Sequence, residues 1–220
     1  DETGNPFRKM RFKREQTDRT FLEIEEIHKI QHLRLRVRNP LYDAREVFLF
    51  ECYTGIRISD ILTLKWKHIT DEKISIRMRK TEKLLTIPIN DYVRSVLDRR
   101  RCAVENNGGK ITSEKYVFNI LKVDVDEVSA QDALNAISSA TAVINKQLKK
   151  IAEQANIDKN LSTHCARHSY ATALLTNNIP LPVIKEMLGH SDIKVTQIYA
   201  KVVDSKRNEV VECLNKVYHG

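Results

Sequence analysis

His164 and Arg167 stand three residues apart at the start of a helix, in Leu161-Ser162-Thr163-His164-Cys165-Ala166-Arg167-His168. That spacing puts both side chains on one helix face. A helix N-terminus also presents N–H groups that favour an anion. Guanidinium grips phosphate with a two-pronged fork, so Arg167 beside an imidazole suits a phosphate clamp with a proton donor or acceptor attached. His190, in Leu188-Gly189-His190-Ser191, lies just past a helix end, where it can donate a hydrogen bond. Tyr199 closes Val195-Thr196-Gln197-Ile198-Tyr199. A free phenol titrates near a pH of about 10 and attacks poorly at neutral pH unless cations surround it.

Those cations can come from earlier in the chain. Arg57 sits in the tight turn Thr54-Gly55-Ile56-Arg57-Ile58-Ser59-Asp60, which would hold its side chain rigidly. Asp60 can orient Arg57 or a nearby histidine. Lys80 lies at a hairpin tip, where an ammonium can swing over a ligand and hand a proton to a leaving oxygen; Lys83 competes for that part. Each residue also has a plainer reading. His164 and Arg167 can simply cap a helix, and Arg57 and Asp60 can form a local ion pair worth little if exposed. A turn lysine is usually solvated, and a lone tyrosine usually fills space.

The elements needed to position this set are legible as a mainly α chain with one small antiparallel β-sheet. Thr20-Phe21-Leu22-Glu23 reads as a capping box for a helix ending near Leu33. Asn39-Pro40 breaks the chain, a buried helix spans Leu41–Tyr53, and Gly55 stops it. Ser59 and Asp60 start a short helix, Ile61–Leu64. Lys73–Arg79 and Leu85–Ile89 alternate apolar and polar residues and form a β-hairpin, with Pro88 near an edge or end. Further helices are expected from an Asn90 cap to Cys102, over Asp132–Ala155, His164–Asn177, Leu181–Leu188 and Lys194–Tyr199, and in a tail, Asp204–Tyr218.

Composition sets the bounds. The 220 residues can bury a real core, and 37 Lys and Arg against 29 Asp and Glu give a net charge of +8. That balance suits a polyanion without requiring one. Cys52, Cys102, Cys165 and Cys213 form no C-x-x-C pair, so neither a zinc site nor a disulfide framework is indicated, and a reducing cytoplasm follows. No signal peptide or membrane-spanning run is apparent. Asp124, Asp126 and Glu127 can be drawn as a magnesium site but read better as a solvated loop. Ile179–Tyr199 has a helix-turn-helix look, but such a module has no need of Arg57, Lys80 or the His164–Arg167 pair.

Taken together, Thr54-Gly55-Ile56-Arg57, the hairpin Lys80, His164-x-x-Arg167-His168, Leu188-Gly189-His190 and Tyr199 resemble, in order, the active-site set of the tyrosine recombinases, the phage integrase family. The likeness runs from about Thr20 to the end, and the basic hairpin is most similar to integrases of Bacteroides-type mobile elements. It implies a recombinase that integrates or excises a mobile element. Tyr199 would form a 3′-phosphotyrosyl bond, Arg57 and Arg167 would hold the non-bridging oxygens, and Lys80 would protonate the departing 5′ oxygen. His164 would assist proton transfer with the tyrosine, His190 would hydrogen-bond the phosphate, and Asp60 would support the site from behind. The phosphotyrosine stores the bond energy, so no cofactor, ATP or metal is implied.

The same likeness divides the chain into a linker arm, 1–19, a catalytic domain, 20–203, and a tail, 204–220, exchanged between protomers. Its partners would be double-stranded DNA, three further copies in a DNA-bound homo-tetramer, and an accessory DNA-bending protein, in the bacterial cytoplasm at the nucleoid and away from any membrane. DNA binding by this chain would be weak and salt-sensitive. A type IB topoisomerase uses nearly the same residues, and a non-catalytic DNA-binding regulator could keep the fold. The DNA target is not legible.

Overall fold

Leu22 decides where the first helix begins. Its side chain is buried and its N–H donates to Ser169 Oγ at 2.8 Å, which keeps the chain out of helix until Glu23. Helix α1 is therefore Ile24–Gln31, and its box is formed one turn later than expected, with the Glu23 N–H donating to the Glu26 carboxylate at 2.8 Å. The structure is a computed structural model that describes residues 20–37, 39–194, 196, 197, 199 and 200. The expected linker arm and tail helix lie outside the described residues.

The Asn39 side chain accepts from the Leu41 N–H at 2.9 Å and starts α2, Pro40–Thr54, with proline in the first turn where its missing N–H costs nothing. This helix is buried along almost its whole length and contacts α1 and the helices that follow. Gly55 ends it at φ +65°, and a Cβ there would lie 2.3 Å from the Tyr170 ring, so glycine is required twice over. The chain restarts at once as α3, Ile58–Leu62, with Arg57 as its cap. Ser59 and Asp60 thus lie inside this helix instead of starting it, because the Arg57 carbonyl already accepts the Asp60 and Ile61 N–H groups at 2.9 and 3.0 Å.

A single 3₁₀ turn, Trp66–His68, leads into the hairpin. Strands β1, Lys73–Arg77, and β2, Leu84–Pro88, pair antiparallel, with Ile74 opposite Ile87 and Ile76 opposite Leu85 on the buried face. Pro88 ends β2, as its missing N–H demands. Helix α4, Asp91–Asn106, is capped by Asn90, whose side chain accepts from the Val93 N–H at 2.9 Å. It outruns the expected end at Cys102 because Ala103 still packs inward.

The acidic connector is exposed at Asp126 and Glu127, as expected of a solvated loop, and is anchored as well. Lys65 Nζ pairs with Asp124 and Asp126 at 3.1 and 2.8 Å, and the Tyr116 hydroxyl donates to Asp124 at 2.7 Å. Helix α5, Ala130–Gln154, starts at Ser129, α6 spans Thr163–Thr176 from a Ser162 cap, and α7 is Leu181–Met187. Residues 193, 194, 196, 197, 199 and 200 are helical. The main core gathers side chains from α1 through the start of α6. A second, smaller cluster holds Tyr170, Ala171, Ile184, Leu188 and Tyr199. Cys52 and Cys165 are buried in the main core, as their apolar settings predict.

Candidate active site

Arg167 lies between the two cores, 7% exposed. It reaches across them: Nη1 donates to the Gly55 carbonyl, and Nη2 donates to the Leu188 carbonyl at 2.6 Å. Arg57 approaches from the other side. Its Nη2 donates to the Gly189 carbonyl at 3.3 Å, and its Nη1 to Met78 Sδ at 3.1 Å. The two guanidinium groups therefore converge on consecutive carbonyls of one turn, from α3 and α6. Gly189 makes that turn at φ +60°, and a Cβ there would meet Met78 Sδ at 2.3 Å.

This convergence carries an electrostatic cost. Burial, and then the like charge of Arg57, pull Arg167 down to about 10, against support from Tyr199, Glu51 and Asp60. The group stays cationic at neutral pH. A guanidinium offers five N–H donors, so two bonds to carbonyls leave capacity for an anion. A pair of cations held this way is relieved by an arriving anion, and the site gains most when charge on that anion grows.

Asp60 is 3% exposed on α3. Its Oδ1 accepts the Arg79 N–H at 2.9 Å, which ties α3 to the hairpin turn one residue before Lys80. Its Oδ2 has no hydrogen-bond partner among the described residues. Burial raises its pKa, opposed by the Arg79 N–H and by Arg57, Arg167 and Arg79. A cavity of about 200 Å³ opens beside it, lined in part by Lys65, Arg77 and Arg79. Lys80 and Lys83 are both exposed around the hairpin turn, so the fold does not choose between them.

One histidine meets the nucleophile candidate, and two more lie near by in sequence or on its partners. Tyr199 is 3% exposed within the second core. His168 Nδ1 lies 3.0 Å from its hydroxyl. His164, expected to serve the tyrosine, is exposed, and its ring stacks on His168 at 6.5 Å between centroids. His190 shares a 3.0 Å hydrogen bond with Thr196, which fixes its ring beside the Gly189 turn. In sequence, His168 belongs to the motif His164-x-x-Arg167-His168 but carries no role of its own there. Its position four residues after His164 and next to Arg167 was the available signal.

Glu51 was also missed. It is 2% exposed on α2, burial raises its pKa well above the usual carboxylate range, and Arg167 opposes that rise. An acid within the run Phe48-Leu49-Phe50-Glu51-Cys52 was the visible sign. Among the described residues no cluster of His, Cys, Asp or Glu could hold a metal, and no helix is long and apolar enough to cross a membrane.

The fold is that of tyrosine-recombinase catalytic domains. It resembles the crystal structure of XerA recombinase, with TM-score 0.61 and 20% identity over 91% of this chain and 64% of that one. It also resembles XerH site-specific recombinase bound to a palindromic difH substrate in a post-cleavage complex, with TM-score 0.63 and 22% identity over 88% of this chain and 52% of that one. A model described as "Phage integrase family" matches residues 20–206, and the chain belongs to that family. The Tyrosine recombinase XerD of Staphylococcus haemolyticus (strain JCSC1435) is 30% identical over 185 residues, covering 82% of this chain. The chain spans 57% of that relative's length.

Proposed function

We propose that the chain is the catalytic part of a site-specific DNA recombinase that cuts and rejoins strands through a 3′-phosphotyrosyl link, in integration or excision of a mobile element. The observation that carries this is the pairing of Arg57 and Arg167 on the Leu188–Gly189 turn, with Tyr199 in the same small core as Leu188 and its hydroxyl on His168, the residue after Arg167. A scissile phosphate gripped by both guanidinium groups would be neutralised as it gains charge in the transition state. Tyr199 is the attacking group and Lys80 the acid for the 5′ oxygen. His164 assists proton transfer, and His190 donates to the phosphate. Asp60 fixes the hairpin turn through Arg79.

Residues 1–19 serve as the arm to a further DNA-gripping domain, and 204–220 dock on a neighbouring protomer. The working assembly is a homo-tetramer on double-stranded DNA at the nucleoid, helped by a DNA-bending protein. The net charge of +8 and the basic residues around the site support the choice of DNA.

The test is a nicked suicide duplex carrying the junction sequence of the element. The wild-type chain should form a covalent protein–DNA adduct, and Tyr199→Phe should form none while binding DNA nearly as well. An adduct that persists in Tyr199→Phe, or none with the wild type, overturns the reading.

A further inference from the structure

We propose that His168, through Nδ1, is the direct proton acceptor of Tyr199 during strand cleavage, with His164 stacked behind it. The inference rests on the reading of Tyr199 as the nucleophile and goes beyond it in naming the base.

Geometry assigns the role. His168 Nδ1 is 3.0 Å from the phenol oxygen, within the reach a general base requires. The rings sit 5.4 Å apart and tilted by 56°, so they meet edge to edge through this polar contact and do not stack face to face. His168 is half-buried and next to Arg167 in sequence, so one helix, α6, delivers both the phosphate's cation and the tyrosine's acceptor. His164 is exposed, and its ring is stacked at 25° on that of His168 with the centroids 6.5 Å apart.

The step balances. The Tyr199 oxygen forms a bond to phosphorus as the bond from phosphorus to the 5′ oxygen breaks. The phenol proton moves to His168 Nδ1, and the departing 5′ oxygen takes a proton from the hairpin lysine. When a 5′-hydroxyl attacks the phosphotyrosine, both protons return.

The test uses the 220-residue chain and two suicide duplexes. One carries the natural phosphate and the other a sulfur in place of the bridging 5′ oxygen. A thiolate leaves without being protonated, so sulfur relieves a missing acid but not a missing base. His168→Asn keeps a hydrogen-bond acceptor near Nδ1 but cannot hold a proton at neutral pH. Adduct formation by His168→Asn should fall about 100-fold on both duplexes, with DNA affinity unchanged. A wild-type rate in His168→Asn, or recovery on the sulfur duplex, overturns the proposal.

Should His168→Asn fold poorly, His168→Ala with added imidazole replaces it. Adduct formation rising with imidazole supports the role, and a rate indifferent to imidazole overturns it. An adduct that requires Tyr199 but ignores His168 removes this inference alone. A wild-type chain with no adduct removes Tyr199 from the chemistry as well.

Discussion

Arg167 and Lys80 carry the same formal charge, yet the chain builds around one and leaves the other outside. Arg167 is buried, donates to Gly55 and Leu188, and is pulled down to about 10 by burial and by Arg57. Lys80 stands exposed on a turn whose backbone is tied down one residue earlier by Asp60. A group that must stabilise growing charge gains from being fixed in advance, because nothing then reorganises at the moment of reaction. A group that delivers a proton gains from reach. If the proposed roles hold, the fold buries the clamp in advance and leaves the acid in solvent.

The comparison breaks most clearly at the clamp. Arg167→Ala should lower adduct formation by about 10³-fold, measured on the suicide duplex, since a buried donor to the phosphate is lost. It should also destabilise the fold, because hydrogen bonds from charged donors are worth about 1.5–3 kcal/mol each and two carbonyls lose their partner. A rate close to wild type would mean that the clamp is structural only.

Lys80→Ala should cost about 100-fold on the natural duplex and recover on the sulfur duplex, with little change in denaturation midpoint. Lys83→Ala should cost less. The reverse order would move the acid to Lys83 and sharpen the hairpin side of the comparison.

Gly55→Ala tests how far the clamp depends on backbone. Its φ of +65° and the 2.3 Å approach to the Tyr170 ring predict a loss of about 2–4 kcal/mol by chemical denaturation. Cleavage should also fall, by about 10-fold, because the Arg167 acceptor moves. A neutral outcome would show that the turn can relax without disturbing the arginine.

The smallest effect is expected at Glu51. Its folded pKa is raised, so its contribution to stability is intact below the unfolded carboxylate value and is lost as pH rises toward the folded one. Glu51→Gln should therefore match wild type near a pH of about 4 and become the more stable protein as pH increases. Denaturation midpoints across that range check the sign. Wild type becoming the more stable protein as pH rises would mean that Glu51 is held ionised by Arg167.

The buried helix, the hairpin and the helix after it were legible from a crowded apolar run stopped by glycine, from period-two alternation and from the Asn90 cap. Arg57, Arg167, His190 and Tyr199 were legible by type and order, and the structure brings their elements to one junction. What could not be read was partnership. His168 and Tyr199 are 31 positions apart, and the acceptors of Arg57 and Arg167 are backbone carbonyls, which leave no mark in residue type. The late start of α1 was hidden for the same reason: a long-range bond to Ser169 outweighed a good local box. Lys65, which holds the acidic connector, sits 59 residues before Asp124.

That bond from Leu22 to Ser169 also has a mechanical consequence. A pull on the backbone at Leu22 is transmitted to a hydroxyl two positions beyond Arg167 and one beyond His168. The entrance to the domain is thus stitched to the rod that bears its reactive groups, and tension arriving there would be felt as a small rotation of both.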